Sequence, residues 1–137
     1  IMGLDQFAYR VKKGFIKHPV DFETEKYNEE TEQHEKLVDK KELHYWRKHP
    51  NLQGWMENLY YEKDGESDTF NCVNVQLTWE DLERLEDDIK NNRLPDTCGF
   101  FFGDDSDDYY KEEDLKFIEE ALLAIRKGYD VYYSSWW

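Results

Sequence analysis

The stretch FNCVNVQLTWEDLERLEDDIKN, Phe70–Asn91, changes its hydrophobic period at one residue. Up to Leu77 the apolar side chains alternate (Val73, Val75, Leu77), the period of a half-buried strand. Beyond Thr78 the spacing is helical, with Leu82, Leu85 and Ile89 on one stripe. Thr78 is a good N-cap, and Glu80 and Asp81 stand where the positive end of a helix dipole favours acids. The reading is a strand over 70–77 running directly into a helix over 79–91.

The same reasoning extends outward. Asp5–Val11 alternates, with Phe7, Tyr9 and Val11 on one side, and predicts an opening strand. Residues 12–36 are polar, contain Gly14 and Pro19, and read as a long excursion with some helix near its end. Asp39–Lys48 predicts a short helix that stops at His49-Pro50, since proline disfavours helical backbone in the residue before it. Asn51 then caps a helix whose apolar residues Leu52, Trp55, Met56, Leu59 and Tyr60 follow i, i+3, i+4, i+7, i+8. Gly99-Phe-Phe-Phe-Gly103 predicts a buried strand. Lys111–Lys127 predicts a helix with Leu115, Ile118, Ala121, Leu122 and Ile125 inward, closed by Gly128 at C′. Residues 129–137 predict a final strand. The sum is a single compact α+β domain of about four short strands and three to four helices.

Composition narrows the class. The chain has 137 residues, 32 acidic against 18 basic, for a net charge of −14. Eight Phe, ten Tyr and five Trp argue against disorder, because such a chain can offset ordering entropy by burial. No apolar run approaches the roughly 20 residues of a membrane helix, and the N-terminus lacks the apolar core of a signal peptide, so a cytoplasmic protein is expected. The charge opposes direct duplex binding, which depends on cations neutralising phosphates. It leaves a basic protein surface, a metal ion or a small ligand in a locally basic pocket as partners. Cys72 and Cys98 form no CxxC; one disulfide is an option, and two buried reduced thiols are the expectation.

Three constellations can carry chemistry. Tyr45-Trp46-Arg47-Lys48-His49, with Trp55 six residues on, is the one concentrated basic and aromatic patch. Its cations suit phosphate or carboxylate and its rings suit a base or sugar, so a nucleotide-like ligand fits. The plainer account is a helix end with Trp46 and Trp55 packed inside. Asp104, Asp105, Asp107 and Asp108, followed by Glu112, Glu113 and Asp114, offer oxygen ligands for a divalent metal without the EF-hand spacing. Acids at a helix N-terminus are the plainer account here too. Finally, His18, His34, His44 and His49 form no HExxH, and Ser134-Ser135 lack a nucleophile elbow.

Met2-Gly-Leu-Asp5, Tyr45-Trp-Arg-Lys48, Gly99-Phe-Phe-Phe-Gly103 and Tyr132-Tyr-Ser-Ser-Trp-Trp137, with FNCVNVQLT between them, together resemble a family of small proteins common in tailed phages and their bacterial hosts. The resemblance spans nearly all the chain outside 12–36 and implies that Met2 is the natural start. Some members carry the label phosphoglycerate kinase, which this sequence does not support: one small domain cannot supply the two large lobes of that fold. The charge, the acidic runs and the missing catalytic motif point to a phage-type accessory protein acting by binding. Such a protein is either an acidic inhibitor of a host protein, defence systems included, or a sequestering protein for a nucleotide-like ligand held by Tyr45, Trp46, Arg47, Lys48, His49 and Trp55. The alternative is a small metal-dependent enzyme on a phosphate-containing substrate, using Asp104, Asp105, Asp107 or Asp108. No cofactor is expected beyond that divalent metal.

Overall fold

Thr78 does what its position predicts. Its hydroxyl accepts from Asp81 N at 3.2 Å while the Asp81 carboxylate accepts from Thr78 N at 2.9 Å, a complete capping box. The computed structural model describes residues 3–97 and 107–137. The strands are β1 (Asp5–Lys12), β2 (Glu25–Asn28), β3 (Gln33–Lys36), β4 (Lys40–Arg47), β5 (Asn74–Leu77) and β6 (Tyr129–Trp136). The helices are α1 (Pro50–Glu62), α2 (Trp79–Lys90) and α3 (Asp107–Arg126). This is a single α+β domain with, among the described residues, three helices and six strands in two sheets.

The main sheet is antiparallel with order β4-β1-β6-β5. Register puts Ala8, Tyr133 and Val75 in one row, and Gln6, Trp46 and Ser135 in another, all turned to one face. That face meets the three helices in a core that includes Leu52, Met56 and Leu59 of α1, Leu82 and Leu85 of α2, and Phe117, Ile118 and Ala121 of α3. Phe7 and Tyr9 share a side as expected, but it is the side away from the helices; Gln6 and Ala8 point inward. The far edge of β5 is laced by Val20, which pairs with Val75 through Asp21 N to Asn74 O and Gln76 N to Pro19 O.

Several expectations are corrected. The segment 39–48 is strand β4, because it pairs along the whole of β1. The register shifts between Ala8 and Tyr9, where Leu43 is the extra residue of a bulge. Within 12–36 there is no helix but the hairpin β2–β3. Its rungs are Glu25 with Lys36, Lys26 with Glu35, and Tyr27 edge-on to His34. The strand expected over 70–77 is only Asn74–Leu77, since Cys72 adopts φ +61 and breaks the extended run. The cap of α1 is His49 with Pro50 at the first helical position, not Asn51. Helix α3 begins at Asp107 rather than Lys111, and Gly128 closes it at φ +93 as expected. Cys72 is exposed rather than buried and forms no disulfide among the described residues; Cys98 and the strand expected at 99–103 lie outside them.

Gly54, inside α1, is there for a close approach. A Cβ at this position would stand 1.8 Å from the Thr97 hydroxyl oxygen, and Thr97 is tied to the same helix by its N–H to Asn51 Oδ1 at 2.7 Å. In an open helix Gly→Ala gains about 1 kcal/mol. Here Gly54→Ala is expected to lower the urea midpoint, and Thr97→Gly in the same chain to restore part of it. A plain gain for Gly54→Ala would show that Thr97 gives way freely.

Candidate functional site

The alternation of β4 divides the 45–49 patch between two environments. Tyr45 and Arg47 lie on the outer sheet face, where the Tyr45 hydroxyl donates a short hydrogen bond to Asp5. That bond to a carboxylate, with some desolvation, raises the Tyr45 hydroxyl above its ordinary value. Lys48 is exposed at φ +59. Trp46 turns inward and is fully buried, edge-on to Phe117 with ring centroids 4.9 Å apart. Trp55 is buried between α1 and α2; its indole N–H donates to Asp88 at 2.9 Å, and Arg84 sits over its ring. The two indoles therefore belong to the core, and the structure does not bring them together with Arg47 and Lys48 around one opening.

His49 is buried and is the centre of a polar network that composition and spacing did not reveal. Its Nε2 lies 2.7 Å from Asp114 Oδ2, while Asp114 Oδ1 accepts from the Trp46 indole N–H at 2.8 Å. Gln6 grips the His49 backbone from both sides, accepting its N–H at 2.8 Å and donating to its carbonyl at 3.0 Å. The same Gln6 amide donates to the Tyr133 hydroxyl at 2.9 Å, and that hydroxyl donates to Gln53 Oε1 at 2.5 Å. Tyr110 stacks on the His49 ring at 4.6 Å and donates its hydroxyl to Arg47 O at 2.5 Å. Burial drives the Tyr133 hydroxyl far above its ordinary value, so it acts as a fixed hydrogen-bond relay. The network ties β1, β4, α1, α3 and β6 together beneath the sheet. Asp114 and Gln6 would have stood out in the sequence only as polar residues at positions the helical and strand periods turn inward.

Beside this network, the His44 ring packs on Trp46, and its Nε2 has no hydrogen-bond partner among the described residues. Desolvation holds the imidazole below its ordinary 6.5, against the upward pull of Glu113, Asp114, Glu120 and Glu42. Below that ordinary value the unfolded chain takes up a proton that the folded chain resists, so unfolding binds protons and stability rises with pH. The contribution of neutral His44 is complete above pH 6.5 and is lost as pH falls from there toward the lowered folded value. Wild type is expected to lose more melting temperature than His44→Gln between pH about 7.5 and about 5.5. Parallel losses would remove His44 as the cause.

The outer sheet face is the other feature. Among the described residues no helix covers it. Phe22 and Thr24 cover Tyr132 on the β6–β5 side, Phe22 edge-on at 5.2 Å. Tyr45 on β4 is 42% exposed, and Trp136, at the end of β6 beside Asp5, is 53% exposed. Phe7 and Tyr9 are half-buried along β1, Phe7 with its ring 5.1 Å from Tyr45 and 5.9 Å from Tyr9. Asp5 and Arg47 edge the strip at one end; Glu42 and Lys40 edge it at the other, with Lys40 Nζ 4.5 Å over the Tyr9 ring. The alternation of Phe7 and Tyr9 was visible in the sequence, but not which face the helices would take.

Asp104 and Asp105 lie outside the described residues; Asp107 and Asp108 open α3. Among the described residues no group of three or more His, Cys, Asp or Glu is placed to hold a metal ion, and no helix is long and apolar enough to cross a membrane. Scans against family models, curated proteins and solved structures each return no match.

Proposed function

We propose that this protein acts by binding another protein through the open aromatic face of its sheet, as an accessory protein of the phage type acting on a host component. The observation that carries this reading is the row of aromatic side chains on the outer sheet face: Tyr45 and Trp136 are exposed, and Phe7 and Tyr9 are half-buried beside them. Aromatic residues are enriched in the centres of protein interfaces, where they bring large contact area at small entropic cost. The competing nucleotide-sequestering form asks Trp46 and Trp55 to stack on a ligand. Both are buried with their N–H groups bonded to Asp114 and Asp88, so stacking would require opening the core.

Photo-crosslinking tests the proposal. A photoreactive phenylalanine replaces Trp136 or Tyr45, and in a control replaces Glu83, which is exposed on α2. Discrete adducts in bacterial lysate from positions 136 and 45, and none from 83, are expected. Adducts from 83 alone, or from no position, would end the reading.

A further inference from the structure

Resting on that reading, we propose that the occupant of the open sheet face is a cationic polypeptide segment, one that lays Lys or Arg side chains over the rings of Tyr45, Phe7 and Trp136. The first argument is electrostatic. A net charge of −14 repels a second copy of this chain and repels nucleic-acid phosphates, and it attracts a basic segment from a distance. The second is the protein's own use of its rings. Arg10 lies 4.1 Å from the centroid of Tyr129, Lys40 4.5 Å from Tyr9, Arg126 5.3 Å from Trp79 and Arg84 5.4 Å from Trp55. These are cation–π distances. Among the described residues no cation covers the rings of Tyr45, Phe7 or Trp136, the three at the open end of the strip.

The surroundings agree in sign. Hairpin β2–β3 starts beside the strip, where Glu25 lies 4.0 Å from Lys40 and raises the Tyr9 hydroxyl by its charge, after burial and Glu42. The hairpin and its approach carry Glu23, Glu25, Glu29, Glu30, Glu32 and Glu35 against Lys26 and Lys36. Of those acids Glu25 has an ion pair among the described residues. Arg47 and Lys40 are the strip's own cations; Asp5 and Glu42 stand directly across from them or beside them.

The test uses the full chain and three synthetic 12-residue peptides of one design, Val and Tyr alternating with Lys, with Gln or with Glu. The expected result is that the Lys peptide shifts the backbone NMR signals of Phe7, Tyr45 and Trp136. Its affinity should exceed that of the Gln peptide at least tenfold and fall at least tenfold when salt is raised to about 0.5 M, as screening requires. The double variant Tyr45→Ser/Trp136→Ser, two exposed positions, should keep the circular dichroism spectrum and lose the binding. Equal affinity for the three peptides, shifts confined to other surfaces, no binding of the Lys peptide, or preferential binding of single-stranded dT12 would each overturn the proposal. Crosslinks from position 136 in lysate together with a failed Lys peptide would leave the docking face standing and refute only its cationic occupant.

Discussion

Asp114→Ala is expected to lower folding stability by about 2–6 kcal/mol, about 1–3 kcal/mol for each of the two buried polar groups it leaves without their acceptor. The carboxylate is almost wholly buried, and both its oxygens are engaged, one by the Trp46 indole N–H and one by His49. Alanine leaves two polar groups without their acceptor in a space sealed by Phe117 and Tyr110. Asp114→Asn is the sharper variant. It preserves volume and can still accept from Trp46, while its amide faces His49 Nε2, so its loss should be clearly smaller than that of alanine. Urea unfolding followed by tryptophan fluorescence measures both. A loss under about 1 kcal/mol for Asp114→Ala would show that water replaces the carboxylate without difficulty, and the network would not be a structural tie.

Phe117→Ala is expected to cost a similar amount, about 3–5 kcal/mol, by a different mechanism. Phe117 is the apolar side chain of α3 against β4, edge-on to Trp46 and 6.1 Å from the His44 ring centroid, beside the polar contacts of Asp114 and Tyr110. Truncation leaves a cavity under the sheet, and the lost contacts are dispersion and apolar burial rather than hydrogen bonds. Two signatures separate it from Asp114→Ala. The pH dependence assigned to His44 should shrink, because water entering the cavity hydrates the imidazole. The double variant should lose less than the sum of the singles, since both act on Trp46. Strict additivity would mean that Trp46 is held independently by each.

The contrast between α2 and β4 explains how much of the fold was legible. Helix α2 was readable because three local signals agree at one place: the period change, the Thr78–Asp81 capping box and the stripe Leu82, Leu85, Ile89. Strand β4 was misread because the Leu43 bulge interrupts its alternation, and because its decision to be strand is made by β1, some 35 residues away. Hairpin β2–β3 has no apolar period at all; opposite charges and one Tyr–His pair set its register, and these can be recognised only once the strands are opposed. The site was legible to the same degree. Tyr45 and Arg47 were singled out, but sequence adjacency placed Trp46 with them when a strand sends neighbours to opposite faces. Asp114 was noted as one of a run of acids, although its helical position makes it the one that points inward to His49.

The order of the main sheet also sets a timetable. Strand β6 lies between β1 and β5, so the strands formed from residues 5–12 and 74–77 have no central neighbour until residues 129–136 arrive. At about 5–20 residues per second of synthesis, β1, already able to pair with β4, waits on the order of ten seconds for its second partner. During that interval Phe7, Tyr9 and the β1 backbone are an exposed edge on a growing chain, open to mispairing with any extended segment nearby. Cotranslational folding of this protein is therefore confined to pieces complete before residue 129, such as α1, α2, the hairpin and the β1–β4 pair. The sheet closes in a single late step, and a ribosome that stalls before residue 129 holds a chain that cannot finish it.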